Sequence, residues 1–222
     1  MWIIALLKRD FKIARQNVTG VLLPIAFLLV CASLFPLATD ADLTFLSKAG
    51  APIILLSTLL ASLLSLENIF TDDLNDATID QMLISSRPLS IIMLMRTFVH
   101  WLTTMLPMVI LSPIVTLMYG LKTAETLVLM LALLLTTPIL ALLGTLGAAI
   151  LTGTRQGNIL LGLIVLPLYI PLMIFAGNAV AVARIGGSTS MHFFILSGFL
   201  FLSLALIPYA SALAIRQATK YE

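Results

Sequence analysis

Long apolar stretches separated by short polar segments dominate this chain. The apolar stretches cover approximately residues 18–37, 51–66, 89–119, 126–152, 158–182 and 192–215. An α-helix needs about 20 mostly apolar residues to cross the hydrocarbon core of a bilayer. The pattern therefore predicts six transmembrane helices. The third stretch is long enough to include an approach along the membrane interface before it crosses.

The first 17 residues have a different pattern, in which apolar and basic positions both recur at helical spacing. The apolar positions are Ile3, Leu7, Phe11 and Ala14, and the basic positions are Lys8, Lys12 and Arg15. An apolar side next to a basic side is typical of a helix that lies in the membrane interface against lipid headgroups. The alternative is a basic flank that only orients the first transmembrane helix. We predict the interfacial helix over residues 1–17, followed by a six-helix domain over residues 18–222.

The composition supports an integral membrane protein of the all-α class. Hydrophobic residues make up 60% of the chain and charged residues only 10%, whereas soluble domains carry about 25% charged residues. A net charge of +2 without a basic, aromatic-rich cluster gives no support to nucleic-acid binding. Cys31 is the only cysteine, so a disulfide framework and a thiolate metal site are excluded.

The basic residues predict the orientation of the helices. If the N-terminus is cytoplasmic, the cytoplasmic side holds nine basic residues and the opposite side three. The nine are Lys8, Arg9, Lys12, Arg15, Arg87, Arg96, Arg155, Arg216 and Lys220, and the three are Lys48, Lys122 and Arg184. Because loops rich in Lys and Arg stay inside, both termini are predicted to be cytoplasmic.

A single long polar segment, residues 67–88, interrupts the apolar pattern on the predicted cytoplasmic side. It holds five of the ten acidic residues, which are Glu67, Asp72, Asp73, Asp76 and Asp80. Thr78 and Gln81 have the spacing of a capping box ahead of an apolar run, and Pro88 would end the helix. One apolar side would consist of Leu74, Ile79, Met82 and Leu83. We interpret this segment as a docking surface for a soluble partner; the alternative is a solvated acidic loop.

We find no catalytic or nucleotide-binding pattern and therefore expect a non-catalytic subunit. The GxxxxGK[ST] phosphate loop is absent, and no paired carboxylates within the apolar stretches suggest a proton-coupled carrier. Gly144, Gly147 and Ala148 lie inside an apolar stretch, where small residues allow close helix packing. No metal site is predicted.

Isolated polar residues near or inside the third stretch are candidate functional residues. His100, beside Trp101, is a candidate axial ligand of haem iron, and the alternative is a hydrogen-bonded histidine beside an aromatic belt at the interface. His192 begins the sixth stretch and has no histidine near it in sequence. Glu67 and Arg96 lie at similar predicted depth, and we expect them to form an ion pair.

Four sequence segments resemble the cytochrome c maturation protein B family, also called haem exporter protein B. They are LFPL (34–37), SLLSLENIFTDDLNDATIDQML (62–83), HWLTTMLPMVILSPIV (100–115) and LIVLPLYIPLMIFA (163–176). The resemblance extends over nearly the whole chain. Members of this family usually have Gly where Ala77 stands and often Glu where Asp80 stands; the substitutions preserve polarity.

This resemblance implies an ABC-2-type permease subunit that dimerises with a second copy and binds two copies of a separate ATPase subunit, where ATP is hydrolysed. Residues 67–88 would carry the coupling helix that contacts the ATPase, with Asp72, Asp73, Asp76, Thr78, Asp80, Met82 and Leu83 as coupling residues. Arg155 and Gln156 are candidates for a second, smaller cytoplasmic contact. A haem-handling membrane subunit and a haem chaperone would be further partners in a bacterial inner membrane.

Two mechanisms remain open under this resemblance: haem export through this chain, and mechanical release of the haem-loaded chaperone. The few polar residues within the apolar stretches favour release. A third alternative is an ABC-2-type permease that exports another hydrophobic substrate, such as a lipid or drug. A self-sufficient channel is disfavoured, because the stretches carry neither a polar stripe nor a ring of charges.

Overall fold

The structure is a computed structural model that describes residues 2–40, 42–66, 87–151 and 157–218, and among these residues the ordered elements are helices. In chain order they are α1 (Trp2–Gln16), α2 (Val18–Ala38), α3 (Leu43–Leu66), α4 (Leu89–His100), a π-helical segment (Trp101–Met105), α5 (Leu106–Met118), α6 (Thr123–Ile150), α7 (Gly157–Arg184) and α8 (Ser190–Ala218). The prediction of an all-α protein is confirmed.

Among the described residues, six helical units are long and apolar enough to cross a membrane. They are α2, α3, the continuous unit from α4 through α5, α6, α7 and α8. The number of transmembrane helices predicted from the sequence is therefore confirmed, and the chain is a multi-pass membrane protein.

Several helices extend further than the apolar pattern predicted. The second transmembrane helix begins at Leu43 instead of residue 51, because Asp42 caps its first turn and Lys48 projects outward as an exposed side chain. The fourth transmembrane helix, α6, begins at Thr123 and includes Glu125, and the fifth, α7, ends at Arg184. The sequence pattern predicts these charged residues to lie outside the apolar stretches, but each lies in the terminal turns of a helix.

Helix α6 lies at the centre of the bundle. It packs against α3, α4, α5, α7 and α8. In the most apolar 18 residues of α6, 56% of the residues are buried, whereas the corresponding share is 17% in α2 and in α8. Helix α2 packs mainly on α3 and α5, so it lies at the edge of the bundle. Its exposed apolar side chains, such as Leu22 and Val30, suit contact with lipid.

The π-helical segment Trp101–Met105 interrupts the third transmembrane unit and ends two residues before Pro107. Proline has no N–H to donate and crowds the carbonyl group four residues earlier, and a π-turn changes the hydrogen-bond register locally. The hydroxyl of Thr103 donates to the carbonyl oxygen of Val99 at 2.9 Å, which satisfies one acceptor beside this irregular turn.

The two ends of the bundle differ in what they bring together. At one end, α1 packs against a cluster formed by the beginning of α4 and the last turns of α6 and α8. At the other end, Tyr119 of the α5–α6 turn packs beside Gly50 of α3 and donates a hydrogen bond from its hydroxyl to the carbonyl oxygen of Ala32 in α2. We call these the α1 end and the Tyr119 end.

Candidate functional site

Of the predicted coupling segment, residues 67–88, the part from 67 to 86 lies outside the described residues. This holds for its coupling residues Asp72, Asp73, Asp76, Thr78, Asp80, Met82 and Leu83, for Glu67, and for Arg155 and Gln156 of the second predicted contact. Their roles, and the Glu67–Arg96 ion pair, stay predictions. Arg96 itself lies on α4, partly buried, one turn before His100.

The structure shows how tightly the two flanks of this segment are anchored. Before it, Leu66 ends α3 and is only 1% exposed. After it, Leu89 begins α4 and is 3% exposed. Both residues belong to buried clusters of the bundle. A force applied to residues 67–86 would therefore act on two helices, α3 and α4, whose ends are packed in the bundle.

Helix α6 packs closely against Leu66, at the end of α3, because Gly144 of α6 has no side chain. A Cβ atom on Gly144 would lie 2.0 Å from Cδ1 of Leu66, so the absence of a side chain lets α3 approach α6 closely. Gly147 gives the same close approach to α7, since a Cβ there would lie 2.5 Å from Cγ2 of Val165. The interpretation of these glycines as helix-packing residues is confirmed.

The second flank is supported by α1 and α8. Trp2 and Leu6 pack against a buried cluster that contains Leu89, Ile92, Met93, Ala149, Ala212 and Ile215. The guanidinium of Arg87, just before α4, lies 5.2 Å from the centre of the Trp2 ring, a distance at which a cation is attracted to the aromatic face. The α1 end is thus one packed unit formed from four helices.

The side of α1 that packs on the bundle differs from the apolar side found in the sequence. Trp2 and Leu6 make the contact, and Asp10, on the same helical stripe, is 8% exposed. Ile3, Leu7 and Phe11 form a second stripe next to it, and Ile3 is 36% exposed. The helix itself is confirmed, while its location in the membrane interface stays a prediction.

A row of polar side chains joins the helices within the bundle. Nε2 of His100 lies 3.1 Å from Oγ of Ser65 in α3, and Nε1 of Trp101 donates to Oγ1 of Thr137 in α6 at 3.0 Å. Oγ1 of Thr97 donates to Oγ1 of Thr145, also in α6, at 3.0 Å. Each pair satisfies polar atoms that lipid could not.

These contacts bear on the two interpretations of His100. Nε2, one of the two nitrogens that could ligate iron, is already within hydrogen-bond distance of a hydroxyl, which fits the hydrogen-bonded alternative. Trp101 packs against the core and bonds to Thr137, while its place in an aromatic belt at the interface stays a prediction. Among the described residues, no group of three His, Cys, Asp or Glu side chains could hold a metal ion.

The Tyr119 end carries an ion pair that the sequence pattern did not reveal. Nε and Nη2 of Arg184 donate to Oε2 of Glu125 at 3.1 and 2.9 Å. The same guanidinium donates to the backbone carbonyl oxygens of Ser47 and Lys48. Three transmembrane helices, α3, α6 and α7, therefore meet at one side chain. The only sequence signal was one acidic and one basic residue at the ends of two apolar stretches.

Sequence comparison finds related proteins over nearly the whole chain. The model of the CcmB protein family matches residues 1–218. Heme exporter protein B of Haemophilus influenzae is 36% identical over 216 residues, covering 97% of this chain and 98% of the relative. The proteins of the same name from Pseudomonas aeruginosa and Escherichia coli K12 are each 36% identical, over 211 and 207 residues, covering 95% of both chains in the first case and 93% and 94% in the second.

The match of the family model extends from the N-terminal helix α1 through the last described residue of α8. Relatives of similar length are covered almost completely, so the likeness is not confined to a shared hydrophobic pattern in a few helices. The chain belongs to the CcmB protein family.

Proposed function

We propose that this chain is the membrane permease subunit of an ATP-driven complex in c-type cytochrome maturation. A separate ATPase subunit hydrolyses ATP, and residues 67–86 transmit its movement to the membrane helices. The result is either haem export or release of the haem-loaded chaperone. The observation that best supports this function is the anchoring of both flanks of the acidic segment, at Leu66 and Leu89, in the packed bundle.

The negative charge of residues 67–86 and the energy available from ATP-driven closure of an ATPase dimer are both consistent with such a role. The four aspartates of the segment complement a basic groove on a soluble partner. Switching a two-state membrane domain from 1:99 to 99:1 takes about 5.5 kcal/mol of differential binding, which closure of an ATPase dimer can deliver. We propose two ATPase subunits, a second copy of this chain, a haem-handling membrane subunit and a haem chaperone as partners. The location proposed is the bacterial inner membrane, with both termini cytoplasmic.

Alanine substitution of Asp72, Asp73, Asp76 and Asp80 tests the coupling role in the purified complex. We expect loss of the ATPase subunit or loss of ATP-dependent release of haem-loaded chaperone, while the thermal unfolding of the membrane subunits is unchanged. Asp40→Asn, at the Tyr119 end, is the matched control and should retain both properties. If the quadruple variant keeps both properties, residues 67–86 are not the coupling surface.

Of the two mechanisms, the geometry favours chaperone release. Many of the described hydroxyl groups within the bundle bond to another side chain, as in Thr97–Thr145 and Trp101–Thr137, or to a backbone carbonyl group, which leaves few polar groups for the two propionates of a haem. Vesicles that contain the complex separate the two mechanisms. ATP-dependent appearance of haem in the lumen without added chaperone would establish export, whereas release of external chaperone without luminal haem would establish release.

A further inference from the structure

Helix α1 has three distinct sides, and the side with Trp2 and Leu6 packs on the cluster at the α1 end. Trp2 and Leu6 recur at a spacing of four residues and pack on the cluster at the α1 end. Asp10 continues this stripe and is buried. The remaining two sides of the helix are exposed to varying degrees over the described residues, and they differ sharply in chemistry.

The second side is apolar and the third is basic. Ile4 is 59% exposed and Ile3 36% exposed, and both lie on the apolar side with Leu7 and Phe11. Lys8, Lys12 and Arg15 are exposed at spacings of four and three residues, so they share one side of the helix. Ile4 is one turn from Lys8, which places the apolar and basic sides next to each other.

The position of α1 leaves the membrane surface as the environment of these two sides. With 15 residues, α1 is about 22 Å long at 1.5 Å per residue, too short for the roughly 30 Å hydrocarbon core. It packs where α4 begins and where α6 and α8 end, which is the level at which three transmembrane helices leave the bilayer. Asn17 separates it from α2 and accepts a hydrogen bond from the backbone N–H of Gly20 at 3.0 Å.

We infer that α1 is a binding surface for anionic phospholipids, with Lys8, Lys12 and Arg15 contacting headgroup phosphates and Ile3, Ile4 and Leu7 inserted among the acyl chains. An apolar side alone would bind a neutral leaflet equally well, so the adjacent cations are what select negative headgroups. A basic residue near an anionic membrane surface contributes about fivefold in binding. This inference does not depend on the proposed function, since it requires no ATPase and no haem.

Site-directed spin labelling of the full chain tests the inference. In a Cys31→Ser background, a nitroxide at Ile4→Cys reports the apolar side and one at Ala5→Cys reports the basic side. The protein is placed in nanodiscs of phosphatidylcholine, with or without phosphatidylglycerol. We expect phosphatidylglycerol to increase collisions of the Ile4 label with oxygen and decrease those with a nickel chelate, while the Ala5 label stays accessible to the chelate. High salt should reverse the change, because it screens the headgroup charge.

The variant Lys8→Gln/Lys12→Gln/Arg15→Gln should lose this response and bind phosphatidylglycerol about fivefold more weakly per charge removed, as counted by lipid adducts in native mass spectrometry. Lys48→Gln/Lys122→Gln removes exposed lysines at the Tyr119 end and should keep the response. The inference fails if the triple variant responds like the wild type, or if the Ile4 label stays in water in every lipid mixture. It also fails if the label is shielded only when a soluble ATPase subunit is added, because α1 would then be a protein-docking surface.

Discussion

Arg184 at the end of α7 and Glu125 at the start of α6 form an ion pair of 2.9 Å at the Tyr119 end of the bundle. The glutamate side chain is only 5% exposed, and the arginine side chain is 28% exposed. Because the guanidinium also donates to carbonyl oxygens of α3, the pair fixes the outer turns of three helices relative to one another.

We predict that Glu125→Gln lowers the free energy of unfolding by about 1.5–3 kcal/mol, the range for a hydrogen bond to a charged group. Loss of a partner from a fully buried pair costs more, about 3–5 kcal/mol, but water can reach the partly exposed guanidinium here. Reversible unfolding in mixed micelles measures the change. Lys122→Gln, an exposed neighbour at the same end, is the matched control and should change stability by less than about 0.5 kcal/mol.

A double-mutant cycle then measures the interaction energy between Glu125 and Arg184 separately from the contacts that each makes with other groups. If the pair acts as described, Glu125→Gln/Arg184→Gln will be less destabilised than the sum of the two single variants. Additive effects would show that each residue stabilises the helix ends independently of the other.

A second prediction concerns the close approach of α6 and α3. A Cβ on Gly144 would overlap the side chain of Leu66, which is buried and has little space to move. We expect Gly144→Ala to cost about 1–3 kcal/mol through overpacking, measured by the same unfolding assay. Combining it with Leu66→Ala should cost less than the sum of the single changes, since the new methyl group fills part of the cavity.

Gly198 supplies the control for this prediction. It lies on α8, and a Cβ there meets nothing within 4 Å. Gly198→Ala should leave stability unchanged or raise it, because alanine favours a helix by about 1 kcal/mol over glycine. Equal losses at Gly144 and Gly198 would contradict a packing role for Gly144.

The number of transmembrane helices could be predicted from the sequence because length and apolar content decide it almost alone. The ends of the helices could not, and the reason is the same at three places. Lys48, Glu125 and Arg184 each count against a membrane helix when they are considered singly. The structure removes the cost by exposing Lys48 and by pairing Glu125 with Arg184. Pairing between distant parts of the chain cannot be read from local hydropathy.

The candidate site was predictable only in part for a similar reason. Periodicity showed that α1 has an apolar and a basic side, but it could not show that a third stripe, beginning with Trp2, makes the contact with the bundle. Likewise, the small residues Gly144 and Gly147 indicated close packing, while their partners Leu66 and Val165 depend on how α3 and α7 are placed.

A third prediction addresses the hydrogen bonds inside the bundle. Thr137→Val removes the acceptor of the Trp101 indole N–H and keeps the shape of the side chain. Hydrogen bonds between membrane helices average about 0.6 kcal/mol and reach about 1.7 kcal/mol, so we expect a loss within that range. Trp101→Phe combined with Thr137→Val should add little to the loss of Trp101→Phe alone. Thr123→Val, at an exposed position in the first turn of α6, is the control and should have no measurable effect.

The last prediction concerns pH and the start of α3. The carboxylate of Asp42 accepts hydrogen bonds from the hydroxyl and the backbone N–H of Thr44, at 2.7 and 2.9 Å. These bonds favour the charged form, so they hold the pKa of Asp42 below its ordinary value of 3.8, the hydroxyl bond contributing most. A lowered pKa in the folded state means that this cap stabilises the fold fully above pH 3.8 and stops doing so as the pH falls through the lowered pKa.

Carboxyl-carbon NMR titration of the protein in nanodiscs measures this pKa directly. Thr44→Val removes the hydroxyl but keeps the backbone donor, so the pKa of Asp42 should rise part of the way toward 3.8. Asp42→Asn should remove the acid-dependent part of the stability that comes from this cap, while Asp40→Asn in the same turn should leave the titration of Asp42 in place. An unchanged pKa of Asp42 in the Thr44→Val variant would show that the hydroxyl does not stabilise the carboxylate, and that the backbone N–H groups of Thr44 and Phe45 lower this pKa without it.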